Sequence, residues 1–88
     1  MMNNTITAKQ ARERMLEAIS KKRQKRIGEK ILESIYAEIT RVSDASGKSI
    51  VIKPLDDVIK QNSLIDELLY RGYGVRTLAM GVGYEISW

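Results

Sequence analysis

The chain has 88 residues, with 15 Lys/Arg against 11 Asp/Glu and a formal net charge of +4. It contains neither Cys nor His, which excludes disulfides and thiolate nucleophiles and removes the commonest general base and zinc ligand. A chain this short buries only about 60–65% of the surface that its unfolded form exposes. We therefore expect a non-enzymatic protein, with no cofactor and no bound metal, that gains stability by self-association.

The opening residues and the hydropathy pattern bear on location. Residues 1–5 lack the cationic and apolar regions of a signal peptide, and no apolar run approaches the roughly 18–20 residues of a membrane span. The sequence therefore predicts a cytoplasmic protein that makes no use of a membrane.

Charge is divided unevenly along the chain. Residues 9–30 carry nine Lys/Arg against three Asp/Glu, whereas residues 31–88 carry six against eight. Clustered positive charge raises the local potential and the rate of association with anionic partners. The N-terminal stretch is thus expected to meet an anionic ligand or an acidic partner.

A long amphipathic helix is predicted from about residue 7 to residue 42. Thr7 followed by Gln10 is a capping-box pattern. An unbroken helix of this length would measure about 54 Å, so it either projects from the domain or breaks near Ser20 or Gly28. The apolar residues that follow the cap are spaced by three and four on both sides of a basic run: Ala8, Ala11, Met15, Ala18, Ile19, Ile27, Ile31, Leu32, Ile35, Ile39 and Val42.

We expect one domain over residues 1–88, made of a basic helical arm (1–26) and an α+β body (27–88). The arm is either ordered or flexible when the protein is alone. If it projects, its apolar stripe has to be buried against something, most simply a second copy in a coiled coil or bundle. Homo-oligomerisation is therefore predicted.

The remaining elements follow from short local signals. Residues 43–48 are typical of a turn, and the β-branched residues 49–53 predict a strand. A second helix is predicted from about residue 55 to Gly72, with Asp56 and Asp57 at its N-terminus. Alternatively, Ser63 caps a shorter helix. Asp56, Asp57, Asp66 and Glu67 are interpreted as caps and solvated surface.

Two β runs, residues 72–80 and 84–88, meet across a glycine-rich turn and predict a hairpin. The predicted fold class is α+β: a long N-terminal amphipathic helix, a strand, a second helix and a C-terminal β-hairpin. The strands are expected to form a small antiparallel sheet with helices on one face.

Two groups of residues are candidates for binding. The first is the basic run KKRQKR, which suits contact with an anion or a nucleic-acid phosphate backbone, although a solvated face is the alternative. No aromatic residue interrupts this run, so base stacking is not expected there. It comprises Lys21, Lys22, Arg23, Lys25 and Arg26.

The second group combines tyrosine, tryptophan and arginine near the C-terminus. These residue types bury a large area while keeping a polar end, and they are frequent in interfaces. A sheet face that displays them could hold a protein partner or an anionic, ring-bearing ligand, and core packing is the alternative for each. The group comprises Arg71, Tyr73, Arg76, Tyr84 and Trp88.

Both ends of the chain resemble one set of proteins. The start TAKQAR (residues 7–12), the segment LLYRGYGV (68–75) and the close GYEISW (83–88) are similar to small proteins of tailed bacteriophages and prophages, which carry a TAKxAR-like start and a GYxV…YxISW end. The resemblance implies a phage accessory protein acting inside the host, or a minor particle component. It supplies no catalytic residues, and the basic run departs from the shared pattern.

The leading hypothesis is a self-associating phage accessory protein that acts by binding, in host takeover or against host defence. Its target would be a host protein or a small anionic ligand, such as a signalling nucleotide, that it sequesters. One alternative is a nucleic-acid-binding protein that uses the basic run. Another is a minor virion or assembly component.

Overall fold

A computed structural model describes residues 5–88. In this range the fold is α+β, as predicted, and no helix has a stretch long and apolar enough to cross a membrane. A single turn of 3-10 helix, Ala79–Gly81, lies between the last two strands. The elements in chain order are α1 (Ala8–Ile27), α2 (Glu29–Asp44), β1 (Ser49–Ile52), α3 (Val58–Tyr70), β2 (Gly74–Thr77) and β3 (Tyr84–Ser87).

The predicted long helix is divided at Gly28, one of the two places where a break was expected. Gly28 has φ +102°, a backbone conformation that residues with a Cβ rarely adopt. At the other end, the capping box forms as predicted. The Gln10 amide donates to Thr7 Oγ1 at 3.1 Å, and the Thr7 amide donates to Gln10 Oε1 at 3.0 Å. The N-terminal segment is thus two helices that meet at a glycine.

Helix α3 is continuous, so the shorter helix considered from the sequence does not form. Its N-cap is Asp57, whose Oδ1 accepts from the amides of Ile59 and Lys60 at 2.8 and 3.3 Å. Ser63 is buried within the helix and accepts a hydrogen bond from Arg26 Nη1 at 3.2 Å. Its hydroxyl therefore contacts α1 and caps nothing.

The sheet has the order β1-β3-β2 with both pairs antiparallel, and the C-terminal hairpin is confirmed. Ile86 in the central strand is opposite Ile50 on one side and Val75 on the other. Gly83 has φ +147°, and a Cβ there would collide with the backbone carbonyl of Ile52. β3 can therefore begin this close to β1 only with a glycine at position 83.

Helices α2 and α3 cover one face of the sheet and enclose the core. The second half of α1 packs along α3, while residues 8–19 are all exposed and extend the molecule to 57 × 31 × 23 Å. The first four residues of the expected basic arm lie outside the described residues. The buried apolar side chains are Ile27, Leu32, Ile35, Ile39, Ile50, Leu64, Leu68 and Ile86.

Candidate functional site

The basic run KKRQKR is divided by helix geometry into two groups. Arg23 and Arg26 turn towards α3, where they contact Glu67 and Ser63 respectively. Lys21, Lys22 and Lys25 are exposed. The structure therefore leaves the three lysines available to an anionic partner and gives the two arginines hydrogen bonds to side chains of α3.

Glu67 is the centre of the contact between α1 and α3. Its side chain is completely buried, and it accepts hydrogen bonds from four side chains: Ser20 Oγ at 2.7 Å, Arg23 Nε and Arg71 Nε each at 3.1 Å, and Gln24 Nε2 at 3.2 Å. The sequence-based interpretation of Glu67 as solvated surface was wrong. A helical pattern places it on α3 but does not reveal that α1 covers that side.

The hydrogen bonds keep this carboxylate ionised in a buried position. Burial alone raises the pKa of a carboxyl, but the bonds from Ser20, Arg23, Arg71 and Gln24 outweigh burial and hold the pKa of Glu67 below its usual range. The same ion pair raises the pKa of the Arg71 guanidinium. An ionised Glu67 therefore holds both arginines in fixed positions.

Tyr70 adds an aromatic surface to this cluster. The guanidinium carbons of Arg23 and Arg71 lie 5.5 and 5.8 Å from the centre of its ring, within the range of cation–π attraction. Arg71 is thus held by Glu67 and Tyr70, yet its side chain is 49% exposed. It remains accessible to a ligand.

A groove of about 650 Å³ opens between α1 and α2, beside this cluster. Three cationic side chains line it: Lys21 and Lys25 from α1, and Arg71 from the end of α3. We call this site the basic groove. Its remaining lining consists of Gln24, Glu29, Leu32, Glu33 and Tyr36.

Tyr36 is the aromatic residue of the basic groove. Its side chain is half-buried beside the core. Burial raises the pKa of its hydroxyl, with nearby Arg71 acting in the opposite direction, so the hydroxyl stays protonated at neutral pH and can donate a hydrogen bond. The groove therefore offers cations, a ring face and a neutral donor within one cavity.

The structure separates the C-terminal candidates. Arg71 joins the basic groove, whereas Arg76 Nη2 pairs with Glu85 at 2.9 Å across β2 and β3. Tyr73 and Tyr84 pack against the core.

The ring of Trp88 meets that of Tyr73 edge to face, with centres 6.3 Å apart. Trp88 is 38% exposed. Tyr73, Tyr84 and Trp88 therefore contribute packing around the end of the sheet.

A second, smaller groove of about 420 Å³ lies between α2 and β1. Two lysines, Lys30 and Lys53, and the carboxylate of Glu38 line it together with aliphatic side chains. It has fewer cations than the basic groove and no aromatic residue. In the part of the chain that the structure describes, no group of three or more acidic side chains is placed to hold a metal ion.

Comparison with protein-family models, curated proteins and solved structures found no match for this chain. What the site can do therefore follows from its own geometry. Sequence reasoning named Lys21, Lys25 and Arg71 as candidates, in two separate groups, and it did not connect them with Tyr36. Tyr36 had no local signal beyond being an aromatic residue on α2.

Proposed function

We propose that this protein is a non-enzymatic binding protein that retains a small phosphate-bearing ligand of the nucleotide class in the basic groove. The observation that carries the proposal is the convergence of Lys21, Lys25 and Arg71 on one cavity beside the ring of Tyr36. Cationic side chains recognise phosphate by charge-assisted hydrogen bonds. A tyrosine ring provides a surface on which a base can stack.

The acidic residues in the groove favour a nucleotide over inorganic phosphate. Glu29 and Glu33 line the same cavity as the three cations, and each would repel a bare anion. A carboxylate can accept hydrogen bonds from the amino groups of a base or from ribose hydroxyls. A ligand with phosphate at one end and hydrogen-bond donors at the other satisfies both charge types, and a groove of about 650 Å³ is within the usual size range of ligand sites.

The residues that line this groove are suited to binding a ligand and do not suggest that the protein converts it chemically. Its side chains include no hydroxyl other than the phenol of Tyr36, and the chain has no Cys or His to act as nucleophile or general base. A protein that sequesters a signalling nucleotide needs affinity and abundance only. The resemblance to phage proteins supports such a role in the host cytoplasm, where removal of a nucleotide signal would oppose host defence.

Isothermal titration calorimetry with mononucleotides, dinucleotides and cyclic nucleotides tests the proposal, with inorganic phosphate as a further titrant. We expect one nucleotide to bind at least as tightly as about 1 mM. The double variant Lys21→Gln/Lys25→Gln should lose at least about tenfold in affinity, since a hydrogen bond to a charged group contributes about 1.5–3 kcal/mol.

The matched control is Lys48→Gln/Lys53→Gln, which removes the same charge outside the basic groove. It should change affinity by less than about twofold if contact, and not net charge, governs binding. Tyr36→Leu should also weaken binding, because it removes the ring face. No nucleotide binding at all, or equal losses in the groove and control variants, would contradict the proposal.

A second candidate function is binding of nucleic acid, favoured by the exposed cations along α1. Lys22 is exposed outside the basic groove, and Lys9, Arg12 and Arg14 extend the charge along the projecting half of the helix. Fluorescence anisotropy with a labelled oligonucleotide at increasing salt tests it, since phosphate contacts make affinity fall steeply with salt. The variant Lys22→Gln separates the two functions: it should weaken oligonucleotide binding and leave nucleotide binding unchanged.

A further inference from the structure

The outer side of α1, away from the core, carries a stripe that is both apolar and basic. Positions spaced alternately by four and three share one side of a helix. All six residues of the stripe are exposed, none is acidic, and Met15 and Ile19 are 53% and 39% exposed. We call this set the α1 stripe: Ala8, Arg12, Met15, Ile19, Lys22 and Arg26. Arg26 is exposed but lies at the edge of the stripe next to α3, where its guanidinium donates to Ser63.

A complementary stripe lies next to it on α3. The inward side of α3 is marked by the buried residues Leu64 and Leu68, and the α3 stripe lies on its exposed side. Its two apolar members, Ile59 and Leu69, are 64% and 51% exposed. The only charged residue of the α3 stripe is Asp66, so the stripe is acidic. The α3 stripe is Ile59, Asn62, Asp66 and Leu69.

The two helices are antiparallel neighbours in a fixed register. Ser20 is opposite Glu67, and Arg26 is opposite Ser63. The α1 and α3 stripes therefore form one outer face of the molecule, basic along α1 and acidic along α3, with apolar residues on both. A small domain gains buried apolar area when a partner covers exposed apolar residues such as these.

From this face we infer that the protein forms a twofold dimer in which the α1 stripe of each copy, from Ile19 to Arg26, packs on the α3 stripe of the other. The result is an antiparallel four-helix layer. A twofold axis parallel to the helices preserves the register seen within one chain. It brings Lys22 over Asp66 of the second copy and Ile19 over Leu69 of the second copy.

Charge selects this arrangement over a pairing of α1 with α1. A dimer through the α1 stripes alone would place Arg12, Lys22 and Arg26 of one copy against the same cations of the other, because the stripe has no carboxylate to oppose them. Like charges brought together in this way are destabilising. The α3 stripe offers the opposite charge and further apolar area.

The dimer covers only the second half of the α1 stripe. Residues 8–19 are exposed in a single chain. The α3 stripe of the second copy ends at Leu69, opposite Ile19, so in the dimer it covers α1 from Ile19 to Arg26 and leaves residues 8–18 exposed. The inference is independent of the proposed function, since the basic groove lies on another side of α1.

Light scattering during size-exclusion chromatography over a concentration series tests the dimer, without nucleotide present. Lys22→Glu and Asp66→Lys should each raise the dimer dissociation constant at least about tenfold, through like-charge contact across the interface. The combined variant Lys22→Glu/Asp66→Lys exchanges the two charges and should return it to within about threefold of the wild-type value. Circular dichroism checks that each variant remains folded.

The matched controls are Lys48→Glu and Asp44→Lys, which make the same charge changes outside the outer face. They should leave association unchanged. A wild-type chain that stays monomeric up to about 1 mM overturns the inference. So does an Asp66→Lys variant that dimerises normally, or a combined variant that remains as weak as either single variant.

Disulfide trapping gives a second, independent readout, because the chain has no native cysteine. Ile19→Cys mixed with Leu69→Cys should yield the mixed crosslinked dimer as the main product under mild oxidation. A predominant crosslink between two Ile19→Cys chains would instead indicate pairing of α1 with α1 and would overturn the arrangement.

Discussion

At the residue scale, Glu67 explains why part of a strongly basic helix lies inside the protein. A buried carboxylate costs a large desolvation free energy unless charged and polar donors surround it. Four donors do so here, and three of them, Ser20, Arg23 and Gln24, come from α1. The carboxylate therefore ties the basic helix to α3 and holds Arg71 at the edge of the basic groove.

Glu67→Gln should lower the free energy of unfolding at pH 7 by about 3 kcal/mol, because it removes the buried carboxylate that is the counter-charge of Arg23 and Arg71. The measurement is urea denaturation followed by circular dichroism. The control is Glu38→Gln, which removes a carboxylate paired with Arg41 at the surface. That change should cost no more than about 0.5 kcal/mol, since solvent screens exposed pairs.

The same variant carries a pH signature. The pKa of Glu67 is lowered in the folded state from an ordinary value of 4.5, so its contribution to stability is complete above that value and is lost as pH falls through the folded-state pKa. The wild-type free energy of unfolding should decline below about pH 4.5 more steeply than that of Glu67→Gln. Parallel pH profiles for the two proteins would rule out a lowered pKa at this carboxyl.

At the element scale, Gly28 decides that the N-terminal segment forms two helices. A residue with a Cβ at φ +102° is strained, although the space beside Gly28 is open. The break lets α1 leave the axis of α2 and pack along α3, with the basic groove between α1 and α2. A single straight helix would remove both the groove and the contacts of Glu67.

Gly28→Ala should destabilise the protein by about 1–3 kcal/mol, the usual cost of such backbone strain. Alanine also favours a continuous helix across this position, so the contact of Ser20 with Glu67 should weaken. Amide hydrogen exchange should report faster exchange in α3 near Glu67. Ser34→Ala, exposed within α2, is the control and should leave stability within about 0.5 kcal/mol. If Gly28→Ala were as stable as the control, φ at this position would not be what divides the helix.

At the scale of the whole molecule, α1 serves three separate contacts from three sides. One side meets α3 through Ser20 and Arg23, a second lines the basic groove with Lys21 and Lys25, and the third is the outer α1 stripe. A helix has enough circumference for this division because neighbouring positions differ by about 100°. Ligand binding and dimerisation are therefore expected to be independent.

This independence is a measurable property. Lys21→Gln/Lys25→Gln should leave the dimer dissociation constant within about twofold of wild type, and Asp66→Lys should leave nucleotide affinity equally unchanged, because the substituted positions are on different sides of α1. Light scattering and calorimetry on both variants supply the comparison. A loss of ligand affinity on disrupting the dimer would mean that the second copy completes the basic groove.

The sequence predictions were correct where the interacting residues are close in the sequence, and they were wrong where the partners are far apart in the sequence. The capping box at Thr7, the N-cap at Asp57 and the C-terminal hairpin depend on residues within a few positions of each other, and the structure confirms them. Glu67 was wrongly assigned to the surface because its partner Ser20 is 47 residues away. Tyr36 was missed as a site residue for the same reason: it lines the basic groove together with Arg71, which is distant from it in the sequence and is brought close only by folding.

The sequence by itself determined the α+β class, the element order, the charge division and the absence of cysteine and histidine chemistry, because these depend on composition and on local backbone preferences. Only the tertiary structure decided which cationic side chains of the basic run contact α3 and which are left for a partner. Helical periodicity gives the side of a helix on which Arg23 or Lys25 lies, but not what that side faces. That is decided by the packing of α1 on α3, a contact between residues distant in the chain that no local pattern encodes.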